Sequence, residues 1–122
     1  MKGEPGPLDQ SPIPIERLKR RPEFLAAAKG RSIGRGGVVV QRLERPGQAG
    51  IRVGFTATRK IGGAVVRNRA KRRLREAARL LLPQHGKAGC DYVFIARGGT
   101  AGRQWARLLD DVKTALISVA PD

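Results

Sequence analysis

A chain of 122 residues suffices for one domain with one modest core. Its 25 Lys and Arg against 10 Asp and Glu leave a net charge of +15. Self-repulsion of that size opposes compaction unless a polyanion offsets it, and nucleic acid is the leading candidate. The single cysteine, Cys90, excludes an intrachain disulfide framework and a zinc knuckle. No apolar run approaches the ~20 residues of a membrane span, and the N-terminus lacks a signal-type apolar stretch, so a soluble, cytoplasmic protein without a membrane partner is expected.

Residues 1–14 hold four of the eight prolines and few large apolar groups, which predicts a disordered lead-in. Residues 15–119 are then one domain. The segment IERLKRRPEFLAAAK (15–29) predicts a short basic helix, with Pro22 at a first turn narrowing the ordered part to 22–29 and Gly30 ending it. The β-branched runs 38–43 and 51–58 flank a Pro/Gly-rich connection, which predicts an antiparallel hairpin. Within the second run Ile51, Val53, Phe55 and Ala57 share one face, the core side. Arg52, Thr56 and Thr58 share the other, an open hydrophilic side.

A long helix is predicted over about 64–82, ended by Pro83 and Gly86. At about 100° per residue, Val66, Ala70, Leu74, Ala77 and Leu81 fall within roughly 80° of arc. Asn68, Lys71, Arg72, Arg75 and Arg79 fall opposite, between roughly 140° and 240°. Residues 59–79 carry nine Lys or Arg, namely Arg59, Lys60, Arg67, Arg69, Lys71, Arg72, Arg73, Arg75 and Arg79, opposed by Glu76 alone. The helix therefore buries one side and presents a cationic stripe suited to regularly spaced phosphates. A buried strand follows at 91–96. A last helix at about 103–118 has an apolar face including Trp105, Leu108, Val112 and Leu116, with Asp110, Asp111 and Lys113 away from it. The order α-β-β-α-β-α indicates an α+β fold, a small sheet covered by helices.

The glycines at 34, 36, 37, 62 and 63 fit no P-loop or dinucleotide spacing and read as turn residues. His85 reads as an exposed loop histidine and Cys90 as a small buried or half-buried side chain. Trp105 reads as core. For Phe24, base stacking and core packing stand open, as do surface and site roles for Thr56 and Thr58. The carboxylates are scattered, with no acid–base pair and no nucleophile–base arrangement, so no catalytic residue is assigned. No protein-bound metal is expected.

The stretch RVGFTATRKIGGAVVRNRAKRRLRE (52–76) resembles the signature of the bacterial ribonuclease P protein family. Its core stands here as Arg67-Asn68-Arg69, followed by Lys71, Arg72 and Arg75. The resemblance extends through RPEFLAAAKGRSI (21–33) and DYVFIARGGT (91–100) and covers about residues 17–118. It implies a two-layer α/β sandwich like the second domain of a small-subunit ribosomal protein. Its small mixed sheet would have a left-handed βαβ crossover through the basic helix, against the usual hand. It also implies a ribonucleoprotein endonuclease that removes the 5′ leader of precursor tRNA, with the chemistry carried by the RNA subunit and magnesium bound mainly by that RNA.

Carried onto this sequence, the resemblance assigns RNA binding to Arg59, Lys60, Arg67, Asn68, Arg69, Lys71, Arg72 and Arg75. It assigns leader binding to Phe24, Thr56 and Thr58, with Lys60 also matching the cleft side. Ala28 and Gln41 stand where relatives can carry further aromatics, which predicts weaker stacking and a larger share for backbone electrostatics. The partners implied are the catalytic RNA of ribonuclease P and precursor tRNA, not DNA. A structural RNA-binding protein is the main rival. Predicted strands on both sides of the basic helix argue against a helix-turn-helix DNA reader, the second rival. A self-sufficient nuclease is the third.

Overall fold

The computed structural model describes residues 13–121. In chain order the elements are β1 (Ile15–Arg17), α1 (Arg21–Ala27), β2 (Arg31–Arg35), β3 (Val38–Glu44), β4 (Ile51–Thr56), α2 (Ala64–His85), β5 (Cys90–Ala96) and α3 (Trp105–Val119). A single 3₁₀ turn, Arg59–Ile61, links β4 to α2. The strands form one mixed sheet in the order β1-β4-β5-β3-β2. The pairs β1–β4 and β4–β5 are parallel, and β3–β5 and β2–β3 antiparallel.

Strand β5 is central and apolar on both sides, as a strand covered on two faces should be. Tyr92 and Phe94 join Val38, Val40, Ile51 and Val53 beneath α2 and α3. Val93 faces the other way, into a smaller cluster with Leu18 and Ala27 under α1. The predicted alternation in β4 holds: Ile51 and Val53 are buried in the helix-side core, while Gly54 faces α1. The expected α+β class and the single mixed sheet are therefore present.

Several expectations need correction. Two further strands, β1 and β2, extend the order to β-α-β-β-β-α-β-α. Both lie at sheet edges and are short; β1 is hydrogen-bonded to the remote β4, which a local pattern does not reveal, and β2 to the adjacent β3. Residues 38–43 and 51–58 do not pair as a hairpin. β5 inserts between them, and their connection crosses its start, where Arg45 N–H donates to the Gly89 carbonyl (2.7 Å) and Gly89 N–H to the Gly50 carbonyl (2.8 Å). The hairpin of this fold is β2–β3, turning at Gly36, whose φ of 47° suits glycine.

Helix α2 continues through Pro83 to His85, which is half-buried rather than an exposed loop residue. A proline in the last turn removes one donor, and burial of Leu82 in the core outweighs that loss. Val66, at 36% exposure, sits at the rim of the apolar stripe rather than within it. Asp111 is buried on α3, where it accepts the Gly37 N–H at 2.9 Å and pairs with Arg103. Most of the expected disordered segment lies outside the described residues. Of its last two residues, Ile13 packs on the core and the Pro14 carbonyl accepts the Ile51 N–H at 2.9 Å.

Candidate nucleic-acid interface

The candidate interface is built on α2. Ala70, Leu74, Ala77, Ala78 and Leu82 are buried against the sheet and α3. That register turns Asn68, Arg69 and Arg72 fully outward and leaves Arg67, Lys71 and Arg75 half-buried at the flanks. Half-burial of a long cationic side chain means its stem packs while its head reaches solvent. The Arg67 Nε is buried and has no hydrogen-bond partner among the described residues.

Arg73 behaves differently from its neighbours. Its guanidinium donates to the Thr100 carbonyl at 2.5 Å and to the Arg103 carbonyl, and lies 5.6 Å from the centroid of the Trp105 ring. Burial, with a smaller push from Arg69, holds its pKa below the usual arginine value. The helical wheel contains the signal: Arg73 falls about 20° beyond Val66, at the edge of the apolar arc and away from the cationic stripe. Arg79 is also engaged, with Glu76 at 2.5 and 3.0 Å.

Other arginines serve the fold without any local sequence signal. Arg42 is buried and donates from Nε to the Val119 carbonyl (2.8 Å), and Arg31 donates to the Ala120 carbonyl (2.9 Å). Together they satisfy the C-terminal end of α3. The net charge of +15 is therefore sorted: part of it closes the fold and the remainder faces outward.

A second surface lies across the sheet from α2. Phe24 on α1 is half-buried and packs over Gly54, where any Cβ would collide with its ring. Glycine at this position lets α1 approach the sheet closely. Phe24 thus combines packing with partial exposure, and both of its sequence readings remain compatible with its position. α1 is pinned by Glu23, whose carboxylate accepts the Lys19 and Arg20 amides (3.1 and 3.0 Å) and the Arg52 guanidinium (2.7 Å). Those two backbone bonds, Arg20 first, hold the Glu23 pKa below the ordinary carboxylate range, with Arg52 adding to them. Arg52 also forks onto the buried Asp91 (2.8 and 2.7 Å), which raises its own pKa.

Thr56 follows Gly54 in the alternation and is half-buried on the α1 side of the sheet; Thr58 is exposed. The exposed Arg59 and Lys60 then carry the chain round the end of β4 to the start of α2. The residues singled out by sequence thus fall on two faces of one sheet, joined by segment 56–60. Gln41 shares the α1 side of β3, and Ala28 caps the end of α1. Among the described residues no group of three or more His, Cys, Asp or Glu could cage a metal ion, and no helix is long and apolar enough to cross a membrane.

The fold and this surface define a small basic α+β domain built around a helix with a cationic outer face. The family model for ribonuclease P matches residues 14–120. The ribonuclease P protein component of Caulobacter vibrioides is 65% identical over 111 residues, covering 90% of this chain and 74% of that protein. That of Ruegeria pomeroyi is 55% identical over 105 residues, 84% of each chain. The solved structure of the ribonuclease P protein from Thermotoga maritima superposes with a TM-score of 0.69 at 26% identity, covering 86% of this chain and 98% of that one. This chain belongs to the ribonuclease P protein family. Membership makes it a subunit of an endoribonuclease ribonucleoprotein in tRNA 5′ processing, with RNA as its partner.

Proposed function

We propose that the outer face of α2 binds the catalytic RNA of ribonuclease P and that the α1 side of the sheet holds the 5′ leader of precursor tRNA. The observation that carries this reading is the continuity of the two faces through Thr56, Thr58, Arg59 and Lys60. Arg67, Asn68, Arg69, Lys71, Arg72 and Arg75 lower phosphate repulsion where two RNAs crowd together. Phe24 supplies limited stacking, and Thr56, Thr58 and Lys60 contact the leader backbone. Such contacts carry little base information, so leader recognition is weakly sequence-dependent. Only the precursor has a leader, so this face separates substrate from product.

In this reading the RNA carries the chemistry and binds the magnesium ions that supply it. The scattered carboxylates of the protein leave it the work of binding and positioning. The cytoplasm is the expected compartment, where both RNAs are made.

The test is precursor-tRNA cleavage at low magnesium with a bacterial ribonuclease P RNA, with and without this protein. Strong stimulation, with no cleavage by protein alone, is expected. Tight RNA binding without stimulation would move the assignment to a structural RNA-binding role. Cleavage by the protein alone would assign the chemistry to the protein.

A further inference from the structure

A concave site remains on the helix-covered side of the sheet, across from Phe24. It is a groove of about 380 Å³ between the β1–β4 edge and the C-terminal half of α2. That volume lies within the ~300–1,000 Å³ typical of small-ligand sites. Its floor is apolar, formed by Val53, Phe55 and Ala78, and its rim carries Arg17, Arg75 and Arg79. The described residues lining it include no carboxylate.

Two geometric facts narrow the ligand. The Arg17 guanidinium lies 5.2 Å from the centroid of the Phe55 ring, and that ring leans on Phe94 at 5.6 Å. A guanidinium held over an aromatic face is a planar platform on which a further flat ring can stack. Arg75 and Arg79 continue the cationic stripe of α2 along the groove, and the Arg79–Glu76 pair is exposed, so a phosphate can displace it at small cost. A flat aromatic ring that stacks by its face, joined to phosphate, describes a nucleotide.

We propose that this groove receives one unpaired nucleotide of an RNA partner. The base lies against Arg17 and Phe55, and its phosphates rest on Arg75 and Arg79. The proposal rests on the reading of this chain as RNA-binding, and adds a base-accepting site on the face opposite Phe24.

The test uses the full chain with two probes, a short oligoadenylate and inorganic polyphosphate of equal charge. Methyl NMR signals of Ile15, Val53 and Leu82, which line the groove, should move with oligoadenylate and stay with polyphosphate. Arg17→Lys keeps the charge and removes the planar platform. It should lower oligoadenylate affinity roughly 5- to 150-fold, the range for stacking one base, while polyphosphate affinity stays within about twofold. Equal methyl shifts with both probes, shifts confined to the outer face of α2, or an unchanged affinity ratio in Arg17→Lys would each overturn the proposal. None of these readouts uses ribonuclease P RNA, so failure to stimulate cleavage would count against the proposed function alone.

Discussion

The Arg52 guanidinium joins Glu23 of α1 to Asp91 of β5, at 2.7 Å to the first and 2.7–2.8 Å to the second. One side chain thereby fixes the helix that carries Phe24 to the centre of the sheet. Asp91 is buried, and Arg45 at 3.3 Å is its other cationic neighbour. Arg52→Met should destabilise the fold by about 3 kcal/mol, the cost of leaving a buried carboxylate poorly paired. Urea denaturation measures it, and a loss below about 0.5 kcal/mol would mean that Arg45 compensates.

The Glu23 carboxylate, held chiefly by the Arg20 and Lys19 amides with Arg52 adding to them, predicts a pH dependence. The folded protein holds the Glu23 carboxyl below its unfolded pKa of about 4.3. Its contribution is therefore present above about pH 4.3 and is lost as pH falls through the lower folded value. Glu23→Gln should remove that part of the acid slope. Stability curves of both proteins between about pH 2 and 6 check it.

Arg67 and Arg72 are proposed to meet RNA phosphates, whereas Arg73 is turned inward. Replacing Arg67 and Arg72 with Ala should weaken binding to ribonuclease P RNA and flatten its salt dependence, by roughly 0.7–0.9 per lost contact. An unchanged slope in the double variant would remove both from the interface.

Arg73→Met should do the reverse. It abolishes the hydrogen bonds to the Thr100 and Arg103 carbonyls and the contact with Trp105. A loss of about 2 kcal/mol of stability is expected, with the salt slope of RNA binding nearly unchanged. A slope change equal to that of a phosphate contact would show that Arg73 reaches RNA.

Phe24→Ala should cost about 1–3 kcal/mol of binding to precursor tRNA if the ring stacks on the leader, and little for mature tRNA. The ring also fills space over Gly54, so a melt must accompany the measurement. Equal losses for both tRNAs would assign Phe24 to the fold.

Much of the architecture of the candidate interface was legible before any tertiary contact was known. The apolar positions of α2 recur with helical period, and the outward orientation of Asn68 and Arg72 follows from that period, whereas Lys71 and Arg75, expected in the same stripe, are half-buried at its flank and Arg69, outside the expected stripe, is exposed. The contiguous run from Arg52 to Glu76 carried the family resemblance. The wheel also held the separate role of Arg73, although its charge masked it. The burial of Asp111 was not legible, because one of its partners, Gly37, lies far back in the chain and the other, Arg103, reaches it only once the loop before α3 is folded.

The sequence by itself determined the charge, the amphipathic helix, the α+β class and the inward or outward side of each β4 residue. These depend on composition and on periods of two and 3.6 residues, which are local. Tertiary structure decided that β5 enters between β3 and β4, that β1 and β2 exist as edge strands, and which arginines close the fold. Apart from β2, which pairs with the adjacent β3, each of these depends on backbone or side-chain partners far along the chain. A three-residue strand such as Ile15–Arg17 has almost no propensity of its own and forms because β4 offers it a row of unpaired donors and acceptors.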